Sequence, residues 1–375
     1  MATIHHSKRS KILAVYIEPT PYIMGLIDAL RKIWHDEVDV LFLCENRSQN
    51  WQITLDENCI MLPKSAAARF HIISKLFFRN DYNLMHLAGW GNPLLLLCLM
   101  LTKIFRKPIV AESDTPIPHH TKLWKRIIKR LTYPTFFKLF NLFCPGGARQ
   151  AKYFEYYGVK SERIIPVQMT VDIAGMRQYV KTLNSSNRRN WRVSYGIEES
   201  NIVFLYVGRL VEHKGLTDLI SAFCKVENKD VRLLIVGDGP MRQQIEDVVR
   251  DNKKICYAGR LIDKELVENF CAADVLVLPS HVEPWGLVVN EAMAVGLPVI
   301  VSDRVGCIDD LVVHNETGII VEAQNVCELQ RAIEVMSGCS KKRSAMGRQA
   351  EIKISDWTLE NEAKKICQAW HQLLS

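Results

Sequence analysis

The sequence lacks the features of a membrane-spanning, disulfide-bonded or zinc-binding protein. No stretch reaches the roughly 18 consecutive apolar residues of a membrane span, and the longest aliphatic run, Leu94–Leu101, is typical of a buried helix. The 11 cysteines include no Cys-x-x-Cys pair. The adjacent His119 and His120 suggest metal ligands, but nothing nearby completes a site. The polar N-terminus precedes an apolar run too short for a signal peptide, so we expect a reduced, cytoplasmic protein.

Acidic residues are absent between Thr115 and Phe154. Residues 1–170 hold 23 Lys and Arg against 13 Asp and Glu, whereas residues 171–375 hold 25 against 28. At helical spacing within the acid-free stretch, one face is apolar (Leu123, Trp124, Ile127, Ile128, Leu131) and the other basic (Lys122, Lys125, Arg126, Lys129, Arg130). This pattern favours contact with an anionic membrane surface. The alternative is a helix that packs its apolar face on its own sheet and leaves its basic face in solvent.

A dinucleotide-binding fingerprint is also missing. "VGDGPMRQQIE" begins a G-x-G with Gly237 and Gly239, but the position of the third glycine is Arg242. A tight strand-to-helix turn with Pro240 near the first helical residue explains these glycines without a cofactor. The missing third glycine argues against a dehydrogenase. The chain also has no nucleic-acid recognition motif.

Short apolar segments alternate with helical ones along 375 residues, a length that suits two domains. We predict strands at Lys11–Ile17, Val38–Leu43, Tyr82–Ala88, Pro108–Ser113, Asn141–Gly146, Ile202–Gly208, Val231–Gly239, Lys254–Gly259, Asp274–Ser280, Pro298–Asp303 and Gly318–Glu322. The alternation predicts an α/β fold with a parallel sheet in each domain. We expect domains at 1–175 and 195–355, a polar connector at Val180–Ile197 and a closing helix at 356–375.

Ligands of such folds bind beyond the carboxyl ends of the strands, and two motifs lie there. "YVGRLVEHKG" places Gly208, Arg209 and Lys214 on a loop after a strand, where two cations suit a diphosphate. Ordinary surface cations are the alternative.

The second motif, "HVEPWGLVVNEAMAVG", sets Glu283 in a loop and Glu291 more than one turn inside the helix that follows. The amides of Gly286, Leu287 and Val288 would point at a ligand, and a helix N-terminus favours phosphate. A carboxylate at Glu291 is costly in so apolar a segment unless it is paired or bound. The arrangement matches a sugar diphosphate, whose hydroxyls would donate to the two carboxylates and whose phosphates would bind the amides and the cations.

Together these motifs resemble the retaining GT-B glycosyltransferases of family 4. "GRLVEHKG", "LLIVGDGP", "ADVLVLPS", "EPWGLVVNEAMAVGLPVIVSD" and "NETGIIV" stand in the family's order and spacing, and "VDI" at Val171–Ile173 is similar to its interdomain step. The resemblance covers nearly the whole chain. It implies a GT-B fold, with two Rossmann-like domains that face each other across a cleft, and a hexosyltransferase that keeps the anomeric configuration.

The resemblance implies that the second domain holds the donor, a UDP- or GDP-sugar. Arg209 and Lys214 would bind the diphosphate and stabilise its developing charge; Glu283 would contact the donor sugar and Glu291 the ribose. The backbone at Gly259, Arg260 and Leu261 would meet the base, and the donor set also includes Gly208, Trp285, Gly286, Leu287 and Val288. We predict Arg209, Lys214, Glu283 and Asp114 as catalytic residues, with no metal and no further cofactor.

Departures from the family fall on the acceptor side, in the first domain. Many relatives have a Gly-Gly pair in the first loop, whereas "IEPTPYIMGLIDAL" offers Tyr22 and Gly25. Asp114, with Glu112 beside it, stands where many relatives carry a histidine. It would contact the acceptor hydroxyl or the donor sugar, or cap the next segment instead. His86 is a further acceptor-side candidate, with a structural role as its alternative.

The basic helix adds a membrane context, because relatives that extend glycans on lipid carriers dock through such a segment. We therefore expect a glycan or lipid-linked glycan acceptor, in cell-surface polysaccharide or lipopolysaccharide biosynthesis, and a cytoplasmic protein or one peripheral at the cytoplasmic face of the membrane. Two alternatives stay open: a nucleotide-sugar epimerase, disfavoured by the "EPWGLVVNE" match, and a non-catalytic scaffold or binding subunit, disfavoured by the intact Arg209, Lys214 and Glu291.

Overall fold

A computed structural model describes residues 10–45, 51, 53–79, 81–117 and 122–375. The chain divides into two compact units: unit 1, Met1–Met169 with Leu359–Ser375, and unit 2, Thr170–Thr358. Each unit contains one six-stranded sheet in which every strand pairing is parallel. The predicted α/β class with two Rossmann-like domains is confirmed.

The sheet of unit 1 has the order β3-β2-β1-β4-β5-β6. Its strands are β1 (Ile12–Tyr16), β2 (Val38–Phe42), β3 (Cys59–Met61), β4 (Leu84–Ala88), β5 (Ile109–Ser113) and β6 (Leu142–Pro145). All five residues of β1 are buried, because helices cover both faces of the sheet. Every strand predicted for this half is confirmed. The short edge strand β3 was not predicted, since its three partly buried residues give a weak hydrophobic signal.

The sheet of unit 2 has the order β12-β11-β10-β7-β8-β9. Its strands are β7 (Ile202–Val207), β8 (Val231–Val236), β9 (Ile255–Gly259), β10 (Val275–Leu278), β11 (Val299–Ser302) and β12 (Gly318–Val321). All six were predicted. In each sheet the first and fourth strands are neighbours, β1 beside β4 and β7 beside β10. The strand order reverses there, and ligands of open α/β sheets bind at this switch point.

Helices connect the strands. They are α1 (Pro21–Ile33), α2 (Ala66–Arg79), α3 (Pro93–Ile104), α4 (Leu123–Phe136), α5 (Ala148–Tyr156), α6 (Ile173–Val180), α7 (Ser185–Ser194), α8 (Leu216–Cys224), α9 (Arg242–Asp251), α10 (Asp263–Ala272), α11 (Leu287–Ala294), α12 (Ile308–Leu311), α13 (Val326–Gly338), α14 (Ser340–Lys353) and α15 (Leu359–Leu374). The aliphatic run Leu94–Leu101 lies in α3 but is only half buried: Leu95 and Leu99 are enclosed, whereas Leu96 and Met100 are exposed. The run therefore lies on the unit's surface layer.

The C-terminal helix α15 belongs to unit 1, where it packs against α1. The Trp370 ring meets Trp34 edge to face, with centroids 5.4 Å apart. Gly25 lies directly under Leu359, whose side chain is 2.8 Å from where a Cβ on Gly25 would stand. The end of the chain thus completes the core of the unit in which the chain begins.

The polar sequence of Val180–Ile197 predicted a connector between the domains, and this prediction is wrong. The segment contains α7 and lies within unit 2. Arg192 anchors the helix: it is buried, donates to the carbonyls of Ala272 and Asn201, and pairs with Asp274 at 2.8 Å. A single buried cation, rather than an apolar stripe, holds α7 in place, so hydrophobic patterning missed it.

We expect Arg192→Leu to destabilise unit 2 by about 2–4 kcal/mol, because it removes the guanidinium that donates to the carbonyls of Ala272 and Asn201 and pairs with Asp274. The exposed Arg189 on the same helix provides the matched control, and Arg189→Leu should change stability by less than about 0.5 kcal/mol. Urea unfolding followed by tryptophan fluorescence measures both. Equal midpoints for the two variants would contradict this account of α7.

Candidate functional site

The loops after β7 and β10 meet at the switch point of unit 2. The first contains Arg209 and ends in a 3₁₀ turn at Glu212–Lys214; the second contains Glu283. The His281 amide donates to the carbonyl of His213 at 2.8 Å and joins the two loops. As predicted, Lys214 lies just before α8, and Glu283 lies in the loop before α11.

An ion pair joins Lys214 to Glu283. The Nζ of Lys214 bonds to Oε2 of Glu283, and the same oxygen accepts from the Ser280 hydroxyl at 3.3 Å. The Lys214 side chain is only 15% exposed to solvent, and the Glu283 side chain only 10%. The segment after β11 also contacts Glu283, because the Gly306 amide donates a hydrogen bond to the backbone carbonyl of Glu283 at 3.0 Å. The carboxylate is thus fixed before any ligand arrives.

Gly286 starts α11 in the left-handed conformation, at φ 101°. A side chain there would be strained, and its Cβ would also stand 2.9 Å from Val305. Among the described residues no side chain caps this helix. The first-turn amides, including Leu287 and Val288, therefore form a positive helix end beside the ion pair.

Trp285 is buried rather than presented to a ligand. Its indole N–H donates to Asn290 at 3.1 Å, and Asn290 donates to Thr170 at 3.3 Å. The ring packs against Trp357 with centroids 5.7 Å apart. Trp285 thereby connects the loop to the interior of unit 2.

Glu291 lies on the second turn of α11, where its side chain keeps only part of its exposure. Burial raises the pKa of its carboxyl from 4.5 to about 7. In the described part of the chain no hydrogen bond or ion pair involves its carboxyl oxygens. A buried carboxyl without a protein partner is costly unless something else binds it.

Two cations, Lys214 and Arg209, accompany Glu283 in the loops of this site. Arg209 is exposed, and none of the ion pairs between described residues includes it. Burial, Lys214 and Arg209 together lower the pKa of the His213 imidazole, while Glu283 opposes them. The three charged side chains therefore lie within electrostatic reach of one histidine, as an anion-binding site requires.

The predicted base-binding backbone lies two strands away from β7. Gly259 ends β9 with a φ of 71°, and its carbonyl accepts from the Gly237 amide at 2.8 Å. Arg260 is exposed and Leu261 partly so. All three lie at the carboxyl edge of the same sheet.

The glycines of "VGDGP" have a structural reason. A Cβ on Gly237 would stand 1.8 Å from the carbonyl oxygen of Gly208, so the turn after β8 must pass against the backbone of the neighbouring loop. Pro240 lies two residues before Arg242, the first residue of α9, and is therefore near the helix start as predicted.

A side-chain hydrogen bond that the sequence did not reveal lies near Glu283 in the chain. His281 Nε2 contacts Asp218 Oδ2 at 2.6 Å, and each side chain is a quarter exposed. Asp218 lies in the first turn of α8. The sequence gives no signal for this pair, since its members are 63 residues apart.

In unit 1, two of the acceptor-side candidates lie together at the carboxyl ends of adjacent strands. His86 on β4 bonds to Oε2 of Glu112 on β5 at 2.8 Å. The same oxygen accepts from the Tyr16 hydroxyl at 3.2 Å. His86 is completely buried, so it offers no surface to an acceptor, whereas the Glu112 side chain keeps 19% of its exposure.

The remaining candidates lie around this carboxylate. Burial raises the pKa of Tyr22 to about 12; its bond with Thr20 opposes the shift, and Asp114 and Glu112 add to it. Asp114 is exposed just beyond β5. Gly25 lies instead under Leu359, as described above, and His119 and His120 lie outside the described residues.

The basic helix α4 exists as predicted, but its apolar face does not pack on the sheet. None of its described residues is buried. The exposed fractions of the apolar face are 63% for Leu123, 55% for Trp124, 50% for Ile127 and Ile128, and 74% for Leu131. The alternative of an apolar face packed on its own sheet is therefore wrong.

The described residues lack a metal-binding cluster and a membrane-spanning helix. No cluster of three or more His, Cys, Asp or Glu side chains there could hold a metal ion. No helix there combines the length and apolar character needed to cross a membrane.

Part of the chain is similar to a known protein family. Residues 187–353 match the family described as glycosyl transferases group 1. D-inositol 3-phosphate glycosyltransferase of Pseudarthrobacter chlorophenolicus is 26% identical over 294 residues, which are 75% of this chain and 66% of that protein. The chain spans 37% to 66% of the length of the first curated relatives that it matches.

Solved structures show the fold. Anabaena Alr3699/HepE in complex with UDP and glucose matches with a TM-score of 0.75 at 17% identity, over 97% of this chain and 100% of that one. WaaG, a glycosyltransferase involved in lipopolysaccharide biosynthesis, matches with a TM-score of 0.67 at 16% identity, over 95% and 98% of the two chains. Residues 187–353 of this chain are thus similar to the glycosyl transferases group 1 family, and the chain has the GT-B fold.

Proposed function

We propose that this protein is a retaining glycosyltransferase that moves a sugar from a UDP- or GDP-sugar to a glycan or lipid-linked glycan acceptor. The observation that carries the proposal is the Lys214–Glu283 pair beside the uncapped start of α11. A nucleoside diphosphate sugar has the complementary groups: a diphosphate for cations and amides, and hydroxyls for carboxylates. The similarity of residues 187–353 to the glycosyl transferases group 1 family supports the reaction class, and the HepE complex with UDP and glucose supports this donor type.

In this proposal the diphosphate lies between Arg209, Lys214 and the first amides of α11. Gly208, Gly286, Leu287 and Val288 supply backbone rather than side chains there. As the bond to the sugar breaks, negative charge grows on the leaving diphosphate. Cations fixed in advance stabilise that charge without having to reorganise.

Glu283 would bind the donor sugar with its second oxygen. Lys214 and Ser280 occupy Oε2, which leaves Oε1 free of partners among the described residues. That oxygen can accept a hydroxyl hydrogen bond at a position set by the ion pair. Because Glu283 would contact both Lys214 and the sugar, it would fix the position of the sugar relative to the cation that binds the diphosphate.

Glu291 would accept the two ribose hydroxyls, and the backbone at Gly259, Arg260 and Leu261 would meet the base. Hydroxyl donors satisfy a carboxylate that the protein leaves without a partner. Trp285 contributes by holding the loop from its buried side.

We assign the acceptor to unit 1, at the edge that carries Tyr22, Glu112 and Asp114. The exposed apolar and basic faces of α4 support contact of this unit with an anionic membrane surface, since apolar side chains enter the headgroup boundary while cations meet the phosphates. A lipid-linked acceptor in cell-surface polysaccharide or lipopolysaccharide biosynthesis fits that location, at the cytoplasmic face.

A panel of UDP-, GDP-, ADP- and dTDP-sugars tests the donor. At about 100 times its dissociation constant, a bound donor should raise the melting midpoint by roughly 5–10 °C. Lys214→Ala and Glu291→Ala should lose most of this rise, whereas Lys253→Ala, an exposed cation of unit 2, should keep it. A rise that all three variants retain would place the nucleotide elsewhere, and no rise in the wild type would contradict the donor class.

Stability against pH tests the state of Glu291. Because burial raises its folded-state pKa to about 7, its contribution to stability is complete below the unfolded pKa of about 4.5 and disappears as the pH rises through about 7. Relative to Glu291→Gln, the wild type should lose roughly 1–2 kcal/mol between about pH 5 and about pH 8, a value reduced for the partial exposure of the side chain. Urea unfolding measures it, with Glu227→Gln at an exposed position as control. Parallel pH curves for wild type and Glu291→Gln would refute a protonated buried carboxyl.

Vesicle sedimentation tests the membrane contact. Replacing Lys122, Lys125, Arg126, Lys129 and Arg130 with Gln should weaken binding to vesicles that contain phosphatidylglycerol by about 100-fold or more, since each cation contributes about 1 kcal/mol near such a surface. The control replaces five exposed cations of unit 2: Lys229, Lys253, Lys341, Arg348 and Lys353. Binding that survives the α4 replacements, or that is equally strong to vesicles of phosphatidylcholine alone, would sink the proposed contact.

A further inference from the structure

A line of hydrogen bonds runs from the C-terminal helix to the acceptor edge of unit 1. The indole Nε1 of Trp370 on α15 lies 3.2 Å from Nδ1 of His86, and Nε2 of the same imidazole lies 2.8 Å from Oε2 of Glu112. Trp370 and His86 are completely buried, whereas Glu112 is not. The line thus starts in the core and ends at the surface.

Chemistry fixes the direction of each bond. An indole N–H only donates, so Nδ1 of His86 must accept and the ring proton must lie on Nε2. His86 therefore donates to Glu112. Burial and the nearby Glu112 and Glu362 raise the pKa of the Tyr16 phenol well above its usual value, so Tyr16 also acts as a donor to Glu112.

Both donors reach the same oxygen. Oε2 of Glu112 accepts from His86 and from Tyr16, while Oε1 has no partner in the described part of the chain. The side chain keeps 19% of its exposure at the carboxyl end of β5, where ligands of such sheets bind. The structure therefore presents one carboxylate oxygen to solvent in a fixed orientation.

We propose that Oε1 of Glu112 binds a hydroxyl group of the acceptor sugar, and that His86 and Trp370 are positioning residues which hold Glu112 for this contact. The inference rests on the proposed function and identifies the group on unit 1 that recognises the acceptor. Orientation in advance favours binding, because the carboxylate loses no further freedom when the sugar arrives. Asp114, two residues later and exposed beyond the strand, has no place in this line of bonds.

A purely structural role is the competing explanation, since buried histidines are usually satisfied core groups. That explanation accounts for Trp370 and His86. It does not account for a carboxylate whose internal partners share one oxygen while the other faces solvent. The two explanations differ in whether Glu112 affects the binding of a sugar.

Octyl glycosides of glucose, galactose, mannose and N-acetylglucosamine serve as probes, with binding measured by ligand-observed NMR. The wild type should bind at least one of them, and Glu112→Gln should weaken that binding about tenfold, because a bond to a charged acceptor is lost. Glu155→Gln, at an exposed position of α5, is the matched control and should stay within about twofold of the wild type. If no glycoside binds to the wild type, or if Glu112→Gln binds as well as the wild type, the proposal is wrong.

Variants of His86 and Trp370 test the positioning role separately. His86→Phe should weaken glycoside binding about as much as Glu112→Gln, whereas His86→Gln should restore most of it, because a side-chain amide can still donate to Glu112. Nitrogen-15 shifts of the His86 ring should place the proton on Nε2 in the wild type, and Trp370→Phe should let the other tautomer appear. A proton on Nδ1 in the wild type, or full binding by His86→Phe, would overturn the assignment.

The donor panel keeps this inference separable from the proposed function. Glu112→Gln should retain the stabilisation by a nucleotide sugar, since Glu112 lies on unit 1 and the donor residues lie on unit 2. Stabilisation by donor without a Glu112-dependent glycoside site would sink this inference alone. Glycoside binding through Glu112 without any donor binding would sink the proposed transfer and leave the carbohydrate site intact.

Discussion

The ion pair between Lys214 and Glu283 is the interaction on which the site in unit 2 depends. Both side chains are largely removed from water, and a charge in that position is costly without its partner. The ion pair connects the loop after β7 to the loop after β10. A backbone hydrogen bond between His281 and His213 connects the same two loops. Two loops that are distant in sequence therefore keep a fixed spacing, so a ligand that needs a cation and a carboxylate at once meets both in place.

The two glutamates of one motif solve the same electrostatic problem in different ways. Glu283 is matched by a lysine and a serine hydroxyl, and one of its oxygens stays available. Glu291 has no such partner among the described residues, and burial raises the pKa of its carboxyl to about 7. An unmatched carboxyl inside an apolar helix costs stability that a better-packed residue would not. In the proposed function, the ribose hydroxyls of the donor would relieve this cost on binding.

Patterns local in sequence predicted most of the fold and the position of the candidate site along the chain. Buried parallel strands are continuous apolar runs, and the motifs with Arg209, Lys214 and Glu283 lie in the loops after β7 and β10, where their sequence position placed them. What sequence could not show depends on distant partners. Helix α7 is held by Arg192 through residues about 80 positions away. Trp370 meets His86 across 284 positions, so no periodicity could link the C-terminal helix to the acceptor edge.

Local charge at each sheet edge runs against the net charge of its part of the chain. Residues 1–170 carry 23 basic against 13 acidic side chains, yet the edge of their sheet presents Glu112 and Asp114. Residues 171–375 have an acidic excess, yet their switch point presents Arg209 and Lys214. Net charge acts over a distance and decides which surfaces a protein approaches, whereas a binding site acts over one hydrogen bond. The basic excess is concentrated around α4, so attraction to an anionic membrane and recognition of an uncharged sugar hydroxyl can coexist on one unit without competing for the same side chains.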